Sequence, residues 1–210
     1  MMSPTKLFIF DMGGVVVQNS SIAGAIAAHL GISKREFLRG TSSDYEDTQA
    51  STYNLSDITA ITRGKIDSER FWSNFTQRTG IAVSGDPWYD LFDPVFDKKT
   101  AAIITRLKAN GYRVVCGTNT IEAHYRKHEE RGDYSIFDAV YASHQMGIMK
   151  PDMAFWRFIL SKEKVLPSEV FFVDDSEENI VTAKKLGLTT HLFTDAEELE
   201  NSLRPYGVYL

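Results

Sequence analysis

The chain has 210 residues, of which 43% are hydrophobic and 24% are charged, so it can bury one substantial core with room for a smaller inserted subdomain. Its formal net charge of −5 argues against a nucleic-acid-binding protein, because contacts to phosphate backbones need a basic surface. No apolar run approaches the roughly 18 residues that cross a bilayer, and no signal segment precedes Lys6. We therefore expect a soluble, cytoplasmic protein with no membrane partner.

The first predicted element is a short apolar strand over residues 7–10. A helical region follows, from about residue 20 to residue 93, without a clear strand. Helices are predicted there over residues 22–30, 33–38, 56–62 and 68–79. Glycines punctuate these helices as C-terminal capping glycines do, at Gly31, Gly40, Gly64 and Gly80. The aromatic residues Phe71, Trp72 and Phe75 share one helical face and are interpreted as the core of this region.

The remainder alternates short β-branched runs with amphipathic helices, which is typical of a parallel sheet covered on both faces. Strands are predicted over residues 113–117, 139–142, 170–173 and 190–193. Helices are predicted over residues 98–110, 121–131, 153–160, 177–186 and 196–203. The pattern indicates an α/β core formed by residues 1–18 and 94–210, with a helical cap inserted at residues 19–93. Cys116, the single cysteine, lies in an apolar strand and is expected to be a reduced core residue.

Unusual polar residues follow the predicted strands. Asp11 comes after the first strand, Thr118 and Asn119 after the second, and Asp174 and Asp175 after the fourth. A loop between the third and fourth strands holds a lysine followed by proline, at Lys150 and Pro151. Loops at the carboxyl ends of parallel strands build active sites, so we expect these side chains to converge at one edge.

Three carboxylates at one edge would repel each other unless a cation lay between them, and hard oxygen ligands favour Mg²⁺. Lys150, the Thr118 hydroxyl and the amides of Gly13 and Gly14 would then bind a phosphoryl group. A carboxylate can act as the nucleophile of phosphoryl transfer. Taken singly, each residue fits a turn or a helix cap, but their joint order favours a site.

This order resembles the four motifs of the haloacid-dehalogenase-like (HAD) superfamily: Asp-x-Gly-x-Val, a strand ending in Thr-Asn, Lys-Pro, and a strand ending in Asp-Asp. The resemblance covers roughly residues 6–17 and 98–193, and the cap matches only in being helical. It implies a Rossmann-like core and an enzyme that hydrolyses a phosphate monoester with Mg²⁺.

The resemblance also implies residue roles. Asp11 would be the nucleophile and a metal ligand, and the Gly13 carbonyl would also coordinate the metal. Thr118 would bind the transferred phosphoryl group with Asn119 beside it. Lys150 would neutralise charge between nucleophile and phosphate. Asp175, with Asp174 beside it, would hold the metal directly or through water.

One position departs from the family pattern. Most HAD phosphatases have a second aspartate two residues after the nucleophile, which protonates the leaving group, whereas this chain has Gly13. General acid–base catalysis contributes about 10²–10⁴-fold to rate. The motif Asp11-Met12-Gly13-Gly14-Val15 is similar to that of a subgroup including sugar-1-phosphate phosphatases. We therefore hypothesise a preference for good leaving groups, or a proton from a cap residue such as His29.

Several alternatives remain at this stage. Gly13 argues against a phosphomutase, which needs an acid at that position, and the pair Asp174-Asp175 argues against a dehalogenase. A catalytically weakened HAD-fold protein that binds a phosphorylated ligand or a protein partner is the alternative outside enzymes. Tyr45 and Tyr53 are candidates to reach over the site from the cap. The substrate is expected to be a small phosphorylated metabolite, and a monomer is compatible with the sequence.

Overall fold

The computed structural model describes residues 4–42 and 56–207. The strands are β1 (Leu7–Phe10), β2 (Val17–Gln18), β3 (Val95–Phe96), β4 (Arg113–Thr118), β5 (Ala139–Ala142), β6 (Val170–Asp174) and β7 (Thr189–Leu192). The helices are α1 (Ala23–His29), α2 (Lys34–Gly40), α3 (Ser56–Thr62), α4 (Ser68–Thr79), α5 (Pro87–Asp90), α6 (Lys98–Ala109), α7 (Glu122–Arg131), α8 (Ser143–Met146), α9 (Met153–Glu163), α10 (Glu177–Lys185) and α11 (Ala196–Leu203).

Five strands form a parallel sheet in the order β5-β4-β1-β6-β7. Successive side chains of a strand point to opposite faces, so the fully apolar strand β1 is buried on both. Phe8 and Phe10 pack with side chains of α6 and α11, whereas Leu7 and Ile9 pack with side chains of α9 and α10. The predicted α/β fold, a parallel sheet with helices on both faces, is confirmed.

The strand ends differ slightly from the predicted ones. Strands β4 and β6 each continue one residue further, so Thr118 and Asp174 still belong to the sheet. Strand β7 begins one residue earlier than predicted. Cys116 is a buried free cysteine in the middle of β4, as expected.

Helices α1 to α5 enclose a second apolar core. Phe71, Trp72 and Phe75 are buried there, and Trp72 and Trp88 lie with ring centroids 5.7 Å apart. The interpretation of these aromatic residues as core is confirmed. The same cluster includes Ile121 at the start of α7, so the helical region packs onto the sheet domain.

A two-stranded antiparallel ribbon was not predicted. Val17 pairs with Phe96 and Gln18 pairs with Val95, where the chain leaves and re-enters the sheet domain. Strands of two residues are too short to show a period in the sequence. None of the helices in the described part of the chain has the length and apolar composition that crossing a bilayer requires.

The predicted role of Gly40 was wrong. Gly31, Gly64 and Gly80 follow helices with positive φ, but Gly40 is the buried last residue of α2 and its φ is not positive. A Cβ at Gly40 would lie 2.4 Å from a ring atom of Phe75. The missing side chain therefore allows α2 to approach α4 closely.

Candidate active site

Asp11 directly follows β1, the central strand of the sheet. Its amide donates to the Val173 carbonyl at 2.9 Å, which continues the pairing with β6. Its Oδ1 atom accepts a hydrogen bond from the Met12 amide at 2.7 Å, so the loop fixes the carboxylate direction. The carboxyl ends of β4 and β6 flank this position, as predicted.

Lys150 is the centre of the site's charge network. Its side chain is 1% exposed, and its Nζ atom lies 3.0 Å from Asp11 Oδ1 and 2.6 Å from Asp174 Oδ2. The Asn119 side chain holds the backbone of this residue: Asn119 Oδ1 accepts from the Lys150 amide at 2.8 Å, and Asn119 Nδ2 donates to the Lys150 carbonyl at 2.8 Å. Both polar atoms of Asn119 are thus engaged in positioning the lysine.

Asp174 is fully buried, and both of its carboxylate oxygens have partners. Oδ2 accepts from Lys150, while Oδ1 accepts from the Ser176 amide at 2.8 Å and from Asn179 Nδ2 at 2.9 Å. Helix α10 begins after Ser176 as predicted, although the Ser176 side chain forms no cap hydrogen bond. The contribution of Asn179 was not predicted. The available signal was an asparagine near the start of the helix that follows the acid pair.

Asp11, Asp174 and Asp175 form an acidic cluster. Each offers one carboxylate oxygen, and these atoms all lie within 4.8 Å of one another. Asp175 is the exposed member. Oxygen ligands at this spacing suit a small hard cation that keeps several waters, so the donor set fits Mg²⁺.

The electrostatics also favour a cation. Burial raises the pKa of Asp11 to about 7; Lys150 acts to lower this pKa, whereas Asp174 and Asp175 raise it further. Burial and the Asp174 charge likewise raise the pKa of Asp175. Burial acts to lower the pKa of Lys150, but Asp11 and Asp174 outweigh it and raise that pKa above its usual range. Lys150 therefore stays protonated, and a second positive charge would stabilise the ionised cluster.

The two glycines after Asp11 occupy different surroundings. Gly14 has a φ of +77°, and a Cβ there would lie 2.1 Å from Asp175 Oδ2. Its amide, predicted as a phosphate donor, instead donates to the Val17 carbonyl at 2.8 Å. A Cβ at Gly13 would lie 2.9 Å from the Ser20 hydroxyl, which is its nearest neighbour. No sequence signal pointed to Ser20.

A cavity of about 340 Å³ opens beside these residues, between the strand ends and the helical region. Asp11, Gly13, Thr118, Lys150 and Asp175 line it, together with Asn119. The buried Thr118 hydroxyl makes only a 3.5 Å contact with the Asn119 carbonyl, so it can donate to a ligand.

Two expectations about the cap have different outcomes. His29, suggested as a proton donor, is exposed at the end of α1 and does not line the cavity, so that suggestion was wrong. Tyr45 and Tyr53 lie outside the described residues.

The comparison with protein families agrees with this geometry. A family model described as haloacid dehalogenase-like hydrolase matches residues 5–187. The chain belongs to this family. The predicted family membership and the assignment as a hydrolase are confirmed.

Two curated relatives match over most of both chains. A sesquiterpene phosphatase from Aspergillus oryzae is 26% identical over 203 residues, which cover 91% of each chain. A D-ribitol-5-phosphate phosphatase from Bacteroides thetaiotaomicron is 26% identical over 198 residues, covering 88% of this chain and 90% of that one. A drimenol cyclase from Aspergillus calidoustus is 35% identical over 71 residues, which are 34% of this chain and only 13% of the cyclase.

Solved structures share the fold. A predicted HAD-like hydrolase from Porphyromonas gingivalis superposes with a TM-score of 0.77 at 20% identity, covering 99% of this chain and 100% of that one. A HAD-family enzyme from B. thetaiotaomicron, solved in complex with magnesium and inorganic phosphate, has a TM-score of 0.70 at 21% identity, with 93% and 98% of the two chains covered.

Proposed function

We propose that this hydrolase is a Mg²⁺-dependent phosphatase, which cleaves a small phosphorylated metabolite through a phospho-aspartate on Asp11. The observation that carries the proposal is the position of Lys150, buried between Asp11 and Asp174 and facing a cavity. A buried lysine beside a carboxylate at a cavity wall is suited to hold a phosphoryl group against that carboxylate. The two relatives described above that match over most of both chains are phosphatases, which supports the same reaction.

The chemical step follows from these groups. An Asp11 oxygen attacks phosphorus, the bond from phosphorus to the leaving oxygen breaks, and an aspartyl phosphate forms. Water then attacks this phosphorus, which releases inorganic phosphate and restores the Asp11 carboxylate. Lys150 and the Thr118 hydroxyl stabilise the phosphoryl oxygens during both steps.

The roles within the acidic cluster are divided by exposure. Asp11 and Asp175 face the cavity and would hold Mg²⁺ together with the Gly13 carbonyl. Asp174 accepts a hydrogen bond from Lys150 and would act on the metal only through water. When bound, Mg²⁺ supplies charge that compensates the carboxylates and polarises the phosphoryl group. Asn119 acts by fixing the Lys150 backbone.

The leaving oxygen needs a proton that no side chain at position 13 supplies. In this proposal a water molecule in the cavity donates it, with the Ser20 hydroxyl beside Gly13 as its hydrogen-bond partner. A water is a weaker acid than a positioned carboxyl group, so good leaving groups should react fastest.

Residues 19–93 would act as the cap that selects the substrate, with the core at residues 1–18 and 94–210. The curated relatives act on a sugar-alcohol phosphate and on a sesquiterpene phosphate. A sugar phosphate is therefore one candidate substrate class. We expect the enzyme to act in the cytoplasm as a monomer.

Hydrolysis of p-nitrophenyl phosphate by the purified protein, with Mg²⁺ and with EDTA, tests the proposal. This substrate needs little protonation of its leaving group, so Gly13 should not conceal activity. We expect turnover that requires Mg²⁺ and falls at least about 10³-fold in Asp11→Asn, because the nucleophile is lost.

Asp152→Asn is the matched control, since Asp152 is an exposed-loop aspartate that caps α9. Its activity should equal that of the wild type. If Asp11→Asn retains substantial activity, Asp11 is not the nucleophile. If the wild type turns over neither p-nitrophenyl phosphate nor acetyl phosphate, the phosphate-binding alternative without catalysis is favoured.

A further inference from the structure

The cavity beside Asp11 has two chemically different ends. The end at the sheet is polar and contains the acidic cluster, Lys150 and Thr118. The other end, called here the apolar chamber, lies between the cap helices and the start of α7. Its apolar walls include Ala23, Ile58, Ile61, Trp88, Phe92 and Ile121.

The chamber walls belong to a packed core. Each of its six wall residues is at most 7% exposed, and each contributes to the cluster that holds α1, α3, α4, α5 and the start of α7 together. Side chains fixed in this way keep their positions when a ligand enters. The chamber is therefore a pre-formed apolar surface that continues the polar end.

Among the described residues that line the cavity, no second cationic side chain is available to bind another anionic group. Lys150 is the only lysine or arginine among the described lining residues, and it already contacts two carboxylates. His124 stacks on Phe92 with ring centroids 3.8 Å apart. Burial and the neighbouring His128 lower the pKa of His124 to about 3, so its ring is neutral at physiological pH.

Among the described residues, few polar atoms near the chamber are free to bind the hydroxyl groups of a ligand. His124 Nε2 and the Tyr134 hydroxyl are buried and almost inaccessible. His128 Nδ1 is 2.8 Å from Asp133 Oδ2 and is already engaged. The hydroxyl groups of Thr62 and Thr120 also line the cavity and can pair with one or two ligand hydroxyl groups. Each further hydroxyl buried here would lose its water without a partner, at a cost of about 1–3 kcal/mol.

We infer that the substrate is the phosphate monoester of an uncharged, largely hydrocarbon alcohol, whose phosphate lies against Asp11 and Lys150 and whose body fills the apolar chamber. This inference rests on the proposed phosphatase function and excludes sugar phosphates as the preferred class. Transfer of the hydrocarbon from water into the chamber lowers the free energy of the complex. A polyol body would instead leave hydroxyl groups without hydrogen-bond partners.

The test uses alkylphosphonates, which bind like the monoesters and are not hydrolysed. Their affinity for the wild-type protein with Mg²⁺ is measured by calorimetry from ethyl to decyl. We expect about a fourfold gain per methylene, corresponding to about 0.8 kcal/mol, until the chamber is full. Ribitol 5-phosphate and glucose 6-phosphate should bind more weakly than hexylphosphonate.

The outcomes separate this inference from the proposed function. Mg²⁺-dependent turnover of p-nitrophenyl phosphate with affinities that do not rise with chain length would overturn the hydrocarbon substrate and leave the phosphatase intact. Rising affinity without turnover of any monoester would overturn the phosphatase and support the apolar chamber. Rising affinity together with faster turnover of longer alkyl phosphates supports both.

Ala23→Leu locates the ligand in the chamber. Leucine adds three carbon atoms to a chamber wall, so the gain in affinity should stop at a chain about three carbons shorter. Ala25→Leu, the same change on the exposed side of α1, should leave the series unchanged. The hydrocarbon does not lie against Ala23 if both variants, or neither of them, change the chain length at which the affinity stops rising.

Discussion

Gly13 and Gly14 follow the nucleophile candidate Asp11, and each lacks a side chain for a different reason. At Gly14 the backbone has positive φ and Asp175 occupies the space where a side chain would lie. At Gly13 the neighbour is the Ser20 hydroxyl, so the position next to the leaving group is already occupied by another chain segment. Gly14 thus shapes the acidic cluster, whereas Gly13 changes how the leaving group would obtain its proton in the proposed reaction.

Gly14→Ala should therefore disturb the metal site beyond its effect on the backbone. Positive φ costs about 1 kcal/mol of unfolding free energy for alanine, and the Cβ would also push Asp175 away. We expect Mg²⁺ affinity, measured by calorimetry, to fall about tenfold or more. Gly80→Ala has the same φ cost, with a φ of +74°, and open space at Cβ. Gly80→Ala should lose a similar free energy of unfolding in denaturant and keep the Mg²⁺ affinity of the wild type. Equal Mg²⁺ affinities in the two variants would contradict the role of Gly14 in shaping the metal site.

Among the elements, the contact of α2 with α4 depends most on one residue. Gly40 lies against Phe75, and the Gly40 carbonyl accepts a hydrogen bond from Arg78 Nε at 2.7 Å. Arg78 also pairs with Asp57, so the helices α2, α3 and α4 meet around one arginine. Without this close approach the aromatic core beneath the apolar chamber would open.

Gly40→Ala should destabilise the protein although alanine is the better helix former. The added methyl group overlaps Phe75 and Thr79, and overpacking of this kind costs about 1–3 kcal/mol. Gly24→Ala in α1 is the matched control, because its Cβ meets no atom within 4 Å. The free energy of unfolding of Gly24→Ala should rise by up to about 1 kcal/mol. The two variants are compared by their midpoints of urea unfolding. If both midpoints lie above that of the wild type, α2 and α4 can move apart to accommodate the added methyl group.

At the scale of the whole molecule, the helical region contacts the sheet domain at several places in the described part of the chain, and two of them involve buried side chains. The Ser143 hydroxyl donates to the Thr62 carbonyl at 2.7 Å and accepts from the Thr120 amide at 2.9 Å, which links α3 to the loop after β4. Gly64 lies so close to the His144 carbonyl that a Cβ would be 2.1 Å from its oxygen. The second place is the stack of Phe92 on His124.

The His124 contact should make stability depend on pH. Burial holds the folded-state pKa near 3, below the usual value of 6.5, so unfolded chains bind a proton first as the pH falls. Stability is then complete above pH 6.5 and is lost progressively as the pH falls toward 3. Between pH 7.5 and pH 5, the wild type should lose about 2 kcal/mol more unfolding free energy than His124→Phe, which retains the stacked ring. If urea titrations at the two pH values show the same loss of unfolding free energy for the wild type and for His124→Phe, His124 does not remain neutral in the folded protein.

The order of elements and most of the site were readable from the sequence. Apolar runs such as residues 7–10 and 170–173 are buried on both faces, so their composition identifies them as strands of a parallel sheet. The topology then brings Asp11, Thr118, Lys150 and Asp174 to one edge, because parallel strands end there. Residue type and strand position together were sufficient for this prediction.

Other features depend on side-chain contacts that no local sequence pattern indicates. Ser20 fills the space beside Gly13, Asn179 reaches back to Asp174, and Asn119 holds the Lys150 backbone. The apolar chamber combines residues of α1, α3, α5 and α7, each of which looks like an ordinary core residue in its own segment. Local periodicity determined the strands and the helices, because these follow from neighbouring residues, and the parallel order of the strands then predicted the acidic site at their carboxyl ends. Tertiary packing alone decided the shape and polarity of the cavity, because packing brings separate segments together.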